Sequence, residues 1–263
     1  MIQTENTAIV LRHADYRDND RMVTLLSPSR GRIDAIIRNC RKPKSHNLNA
    51  SELFALGDYM VVESGGRMTV TSVRLIETFY PLRTDYTRLT CAVWLLGLAE
   101  AAAEPEQEQQ ELFMLLLHTL SRLAFSDQPW KPLLSGFLLH FSACQGFKPR
   151  LNHCVLCGKP LGEEPPFFFD AEEGGLCCGS CRRSKEQTPL SPEQVRWMRK
   201  ALTVGSASWV NTPDAMTPFT VLRSYVEGKL GRRLKSGAML PQTDPEEKKG
   251  ASPEAPSTPE NKI

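Results

Sequence analysis

Two cysteine pairs carry the clearest chemistry in this sequence. HCVLCGKP at 153–160 holds Cys154 and Cys157, and CCGSC at 177–181 holds Cys178 and Cys181. Each pair is separated by two residues. Two tight turns that each present a pair of sulfurs make a tetrahedral thiolate set, the arrangement of a structural zinc site. Gly158 follows the first pair and Gly179 lies inside the second, where such turns often need a left-handed backbone. Four thiolates leave no position open for water, so a single zinc ion held here is expected to be structural. Cys177 is the alternative ligand beside Cys178; Cys178 keeps the two-residue spacing and is preferred. His153 is the weaker competitor. Cys40, Cys91 and Cys144 stand alone and read as buried bystanders. The start, MIQTENTAIV, has no export signal pattern, so the eight cysteines are expected in a reducing cytoplasm rather than in disulfides.

The second chemical signal is electrostatic. Residues 36–47, IIRNCRKPKSHN, gather Arg38, Arg41, Lys42 and Lys44 with no acid, in a chain whose net charge is only +2. Arg30 and Arg32 lie just before, against Asp34 alone. A later basic stretch runs through Arg223, Lys229, Arg232, Arg233 and Lys235. Local cationic runs in a nearly neutral protein point to local anionic contacts. The bland reading is a solvated loop, and charge runs often are no more. Against it, the run sits at the rim of an expected small barrel, and such barrels bind single strands across one face and its loops.

Enzymatic signatures are missing. There is no Walker loop, no Ser–His–Asp set, no paired carboxylates and no HxE beside PCxxC. Asp15, Asp18 and Asp20 are interleaved with Arg17 and Arg21, which reads as a salt-bridged loop rather than a metal centre. The expectation is a non-enzymatic protein.

The elements that must position these groups follow from periodicity. TAIVLRHA, RMVTLLS, GRIDAIIR, DYMVVES and MTVTSVRLIET are short β-type runs with turn signals between them, which predicts a small barrel over 1–80. Helical spacing then predicts three helices within 84–147. The segment 151–188 is cysteine-rich. SPEQ at 191–194 forms a capping box for a helix over 192–203, and Thr217 is the expected cap of a last helix near 218–230. The apolar segments are short or interrupted for a bilayer, so no membrane association is expected. Residues 241–263 have no apolar pattern and read as a disordered tail.

The order of these features resembles the RecO family of bacterial recombination mediators. The residues that carry the resemblance are ENTAIVLRHADYRDNDRMVTLLSPSRGRI, IIRNCRKPKS, GFKPRLNHCVLCGKP, FDAEEGGLCCGSC and YVEGKLGRRLKS. The resemblance implies an α+β protein: an N-terminal OB-fold β-barrel, then an α-helical domain at 81–240 with an inserted four-cysteine zinc segment at about 151–188. It implies DNA repair and recombination in the cytoplasm, at the nucleoid. It further implies binding of single- and double-stranded DNA, annealing of complementary strands, and loading of the recombinase RecA onto strands coated with single-strand DNA-binding protein, together with RecR. The DNA role is carried onto Arg30, Arg32, Arg38, Arg41, Lys42 and Lys44. The helical domain, including Arg122 and Lys131, is where a pocket for the coating protein's tail is sought. The competing reading is a zinc-containing, sequence-specific regulator. It is weakened by the acidic balance of 151–188, since groove readers are basic.

Overall fold

The computed structural model describes residues 2–45, 47–183, 187–203, 212–213 and 216–241. The expected tail thus lies outside the described residues, apart from Pro241. Five strands close a barrel: β1 (Ile2–Tyr16), β2 (Asp20–Ser27), β3 (Gly31–Ile37), β4 (Leu56–Ser64) and β5 (Arg67–Glu77), in the order β1-β2-β3-β5-β4. This is the OB-type arrangement. β1 is much longer than its apolar run because it serves two neighbours. Ile2 to Ile9 pair with β4, and Ile9 to Tyr16 pair with β2. A short parallel ladder, Ala35–Met68 to Ile37–Val70, closes the barrel.

Alternation explains which side each residue takes. Ala8, Val10, Val23, Leu25, Ile33, Ala35 and Ile37 fill the barrel interior. Ile9, Leu11 and Leu26, of opposite parity, pack into the helical core with Phe54 and Leu56. TAIVL is therefore apolar without a break because both faces of that part of β1 are covered. The wet face appears further along the strands, where Arg32, Asp34 and Ile36 alternate outward between buried residues of β3.

The helices are α1 (Pro81–Thr84), α2 (Tyr86–Ala102), α3 (Gln110–Phe125), α4 (Trp130–Cys144), α5 (Pro192–Thr203) and α6 (Phe219–Lys229). Asp85 caps α2 by accepting from the Arg88 amide at 2.7 Å. The capping box of α5 forms as expected: the Ser191 amide donates to Gln194 Oε1 at 3.1 Å, and the Gln194 amide donates to Ser191 Oγ at 3.2 Å. The cap position of α6 is Pro218, one residue beyond Thr217, with no side-chain cap bond. Among the described residues, no helix is long and apolar enough to cross a membrane.

Barrel and helices meet at Gly31. Its φ is +63°, and a Cβ there would stand 2.1 Å from the Glu104 carbonyl oxygen and 2.7 Å from that of Gln107. The following amide, Arg32 N–H, donates to Glu104 O at 3.1 Å. Alanine at this position meets both a backbone clash and a left-handed φ. Gly31→Ala is expected to lower stability by about 2–4 kcal/mol, read from urea unfolding. A loss within experimental error would mean that the junction yields at no cost.

Candidate metal centre and nucleic-acid groove

The cysteine segment is built on three strands that the sequence reading missed: β6 (Phe167–Asp170), β7 (Gly175–Cys178) and β8 (Thr188–Leu190), in the order β7-β6-β8. The FFFD run was their signal. Phe167, Phe169 and Leu176 face the helical core, while Phe168 and Cys177 pack beside Cys154. Arg199 of α5 locks the segment down. Its guanidinium donates to the carbonyls of Leu151 at 2.8 Å, Leu161 at 2.9 Å and Gly162 at 3.0 Å. One cation thereby satisfies carbonyls that a loop-rich segment would otherwise leave unpaired.

Cys154, Cys157, Cys178 and Cys181 converge, their sulfurs all within 4.8 Å of one another. The Cys157 and Cys178 sulfurs are 3.9 Å apart, against about 3.8 Å across a tetrahedron with zinc–sulfur bonds of about 2.3 Å. The first knuckle is closed by the Gly158 amide donating to Cys154 O at 2.9 Å, with Gly158 at φ +75°. Cys177 is fully buried and lies outside this set, whereas Cys178 belongs to it. Strand alternation is the reason: adjacent residues of β7 point to opposite faces.

Burial opposes ionisation of Cys154, but amide donors from Cys178, Cys157 and Leu156 outweigh it and bring this thiol down to about 6. The Cys181 thiol is pushed up to about 12, chiefly by hydrogen bonds with Cys157 and Cys178. The cluster thus holds its first negative charge easily and its last one reluctantly, as crowded thiols do when no cation balances them. A divalent, thiophilic ion matches both the geometry and the charge.

The second site is a groove of ≈ 770 Å³ on the outside of the barrel, where β3 and β5 meet. Arg17, Arg38 and Arg67 line it, with Tyr16, Ile36, Thr69 and Thr71. Its walls are the β1–β2 loop and the β4–β5 turn, the loops with which OB barrels bind oligonucleotides. The loop bearing Arg38 is fastened to the β1–β2 loop. The Asn39 amide donates to Asp20 Oδ1 at 2.8 Å, and the Arg41 amide donates to Asn19 O at 3.0 Å. Buried Cys40 lies beneath. Asp20, the acid in the lining, is therefore engaged by that amide. Among the described residues, Arg17, Arg38 and Arg67 form no ion pair. Arg17 lies over the Tyr16 ring, 5.2 Å from its centroid.

The structure separates the six cations singled out in the sequence. Arg38, Arg41, Lys42 and Lys44 share the groove end of β3. Lys42 and Lys44 are exposed, while Arg41 pairs with Asp15 at 3.1 Å. Asp15 also pairs with Arg21 at 3.4 Å across β1 and β2, so of the expected salt-bridged loop only this pair forms among the described residues. Arg30 and Arg32 sit at the other end of β3, roughly 20 Å away at the rise of a strand. Arg30 pairs with Glu106 and donates to Thr4 Oγ1 at 3.3 Å. Arg32 pairs with Asp34 at 3.2 Å. Arg17, Arg67 and Tyr16 went unrecognised in the sequence. They are isolated in it, and only barrel closure brings them beside Arg38. In the helical domain, Arg122 donates to Gln128 Oε1 at 3.4 Å, and the Lys131 ammonium lies over the Trp130 ring at 5.7 Å.

Comparison with known proteins gives a consistent result. Residues 1–79 match the family model described as recombination protein O N terminal, and residues 83–238 match recombination protein O C terminal. The chain is 33% identical to DNA repair protein RecO of Anaeromyxobacter dehalogenans strain 2CP-C, over 93% of this chain and 98% of that one. It is 31% identical to DNA repair protein RecO of Synechococcus sp. strain JA-2-3B'a(2-13), over 89% and 87% of the two chains. It is 30% identical to that of Myxococcus xanthus, over 92% and 98%. With both family models matched in order over most of the chain, the protein belongs to the RecO family of DNA repair proteins.

Proposed function

We propose that this protein is a recombination mediator that grips DNA through the barrel groove without reading its sequence. It anneals complementary strands and, with RecR, helps load RecA onto DNA coated with single-strand DNA-binding protein. The observation that carries the reading is the set of three arginines, free of ion pairs among the described residues, lining one groove between two OB loops. Guanidinium groups contact phosphates and leave bases free to pair, which annealing needs. Tyr16 adds one aromatic face on which a base stacks. Arg41, Lys42 and Lys44 extend the cationic surface; Arg30 and Arg32, held by acids, contribute less. The four cysteines hold one structural zinc ion, which braces the segment against the helices.

Strand annealing on coated oligonucleotides, with and without RecR, tests this reading. Faster pairing with the protein, and RecA filaments forming only when RecR is also present, are expected. Binding to single strands should also weaken with salt, with a slope of about −0.7 per phosphate neutralised, so roughly −2 to −3.5 for three to five contacts. Affinity that is flat from low to high salt would remove the electrostatic basis of the proposal.

A further inference from the structure

A second cationic cleft lies on the helical domain. It has a volume of ≈ 600 Å³ and is lined by Arg223, Arg232 and Arg233 with Thr220, Ser224 and Gly228. The acid in its wall, Glu227, is 6% exposed and pairs with Arg223 Nε at 3.1 Å. That acid is committed, and it fixes the guanidinium of Arg223. Arg232 and Arg233 are exposed and form no ion pair among the described residues.

The local fold presents these groups deliberately to one side. α6 ends in a Schellman closure: the Arg232 amide donates to Glu227 O at 3.2 Å, and the Gly231 amide donates to Gly228 O at 3.0 Å, with Gly231 at φ +66°. This satisfies terminal carbonyls that would repel an anion, and it turns the chain so that two arginines follow at once. Lys229 is not part of the display, because its ammonium donates to Glu172 O at 2.7 Å. Thr220, Ser224 and Gly228 recur every four residues and so form one track along the helix. Gly228 weakens its own helix relative to alanine. A Cβ there would meet nothing within 4 Å, so no packing among the described residues requires the glycine. The helix backbone there is open to solvent.

We propose that this cleft is a second phosphodiester site, which holds the second strand while the barrel groove holds the first. Guanidinium groups, two hydroxyls and a bare stretch of helix suit a sugar–phosphate chain. No large apolar side chain is among the lining residues, so a peptide with an apolar anchor has no socket there. The inference deepens the strand-annealing reading and rests on it.

The test compares four full-length proteins: the wild type, Arg232→Glu with Arg233→Glu, Arg38→Glu with Arg67→Glu, and the combination. Binding is read by anisotropy of a labelled oligonucleotide that cannot self-pair, and annealing by energy transfer between complementary labelled strands. The cleft variant is expected to bind the oligonucleotide within about twofold of wild type but to anneal about tenfold more slowly. The groove variant should keep a weaker, salt-sensitive binding that vanishes in the combined protein. Wild-type annealing by the cleft variant, or residual binding that survives in the combined protein, overturns the proposal. So does displacement of that residual oligonucleotide by inorganic phosphate no less readily than by a competing oligonucleotide, which would mean a small-anion site. Preferential displacement by polyglutamate would likewise overturn it in favour of an acidic peptide. If instead the groove variant binds as tightly as wild type, the barrel reading fails, and the combined protein still reports on the cleft.

Discussion

Cys157→Ser is expected to abolish stoichiometric zinc and to lower the unfolding free energy by about 5 kcal/mol or more. Structural zinc in small finger peptides supplies about 10–16 kcal/mol of apparent binding free energy, and a whole domain is stable by only about 5–15 kcal/mol. The effect is large because few apolar groups pack around the thiols themselves, although Arg199 and the β6–β8 strands tie the segment to the helices. The apolar groups around the thiols amount to Phe168 and Cys177, with Val155, Leu156 and Leu161 partly buried beside them. Once the metal is gone, the low-lying thiolate of Cys154 keeps its charge near the two remaining cluster thiols, Cys178 and Cys181, with nothing to balance it. Cys177→Ala is the control. That residue is fully buried but outside the sulfur cluster, so the variant should retain one equivalent of zinc and lose only a modest packing contribution. The measurements are metal content by mass spectrometry and urea unfolding in parallel. Full zinc occupancy in Cys157→Ser would show that the cluster is not the metal's cage.

Arg38→Glu together with Arg67→Glu should raise the dissociation constant for single strands by about 100- to 1,000-fold at low salt. A charge pair at 4 Å is worth about 1 kcal/mol in water and more beside a protein surface, and reversal turns attraction into repulsion. Two reversals therefore cost roughly 3–4 kcal/mol. Both side chains are exposed and without ion pairs among the described residues, so the fold should melt normally. Arg41→Ala with Lys42→Ala removes charge at the rim and is expected to weaken binding by about tenfold. Arg30→Ala with Arg32→Ala is expected to stay within about threefold, since both guanidiniums already face acids. A groove double reversal that binds like wild type would relocate the primary contact to another surface of the protein.

These variants also show where sequence ended and folding began. The cysteine spacing pointed to the four sulfurs that the fold brings together, because two residues between paired cysteines is a local geometry, set by one tight turn. Choosing Cys178 over Cys177 likewise followed from spacing, and strand alternation gave its structural reason. The five barrel strands were legible because each is a local run of β-branched residues. The α5 cap was legible because its donor and acceptor lie three residues apart.

Non-local facts were not legible. β6–β8 were hidden because FFFD is too short a run to declare a strand by itself, and its pairing with β7 and β8 is a tertiary event. The groove was hidden for the same reason. Arg17, Arg38 and Arg67 are far apart in the chain and become neighbours only when β3 pairs with β5. Conversely, Arg30 and Arg32 are close to Arg38 in sequence yet a strand's length from it in space, and their charge is taken up by Glu106 and Asp34. Sequence fixes which residues carry charge or sulfur, since that is covalent. Which charges remain uncompensated depends on the partners that long-range packing delivers, and that was decided only by the closed barrel and its junction with the helices.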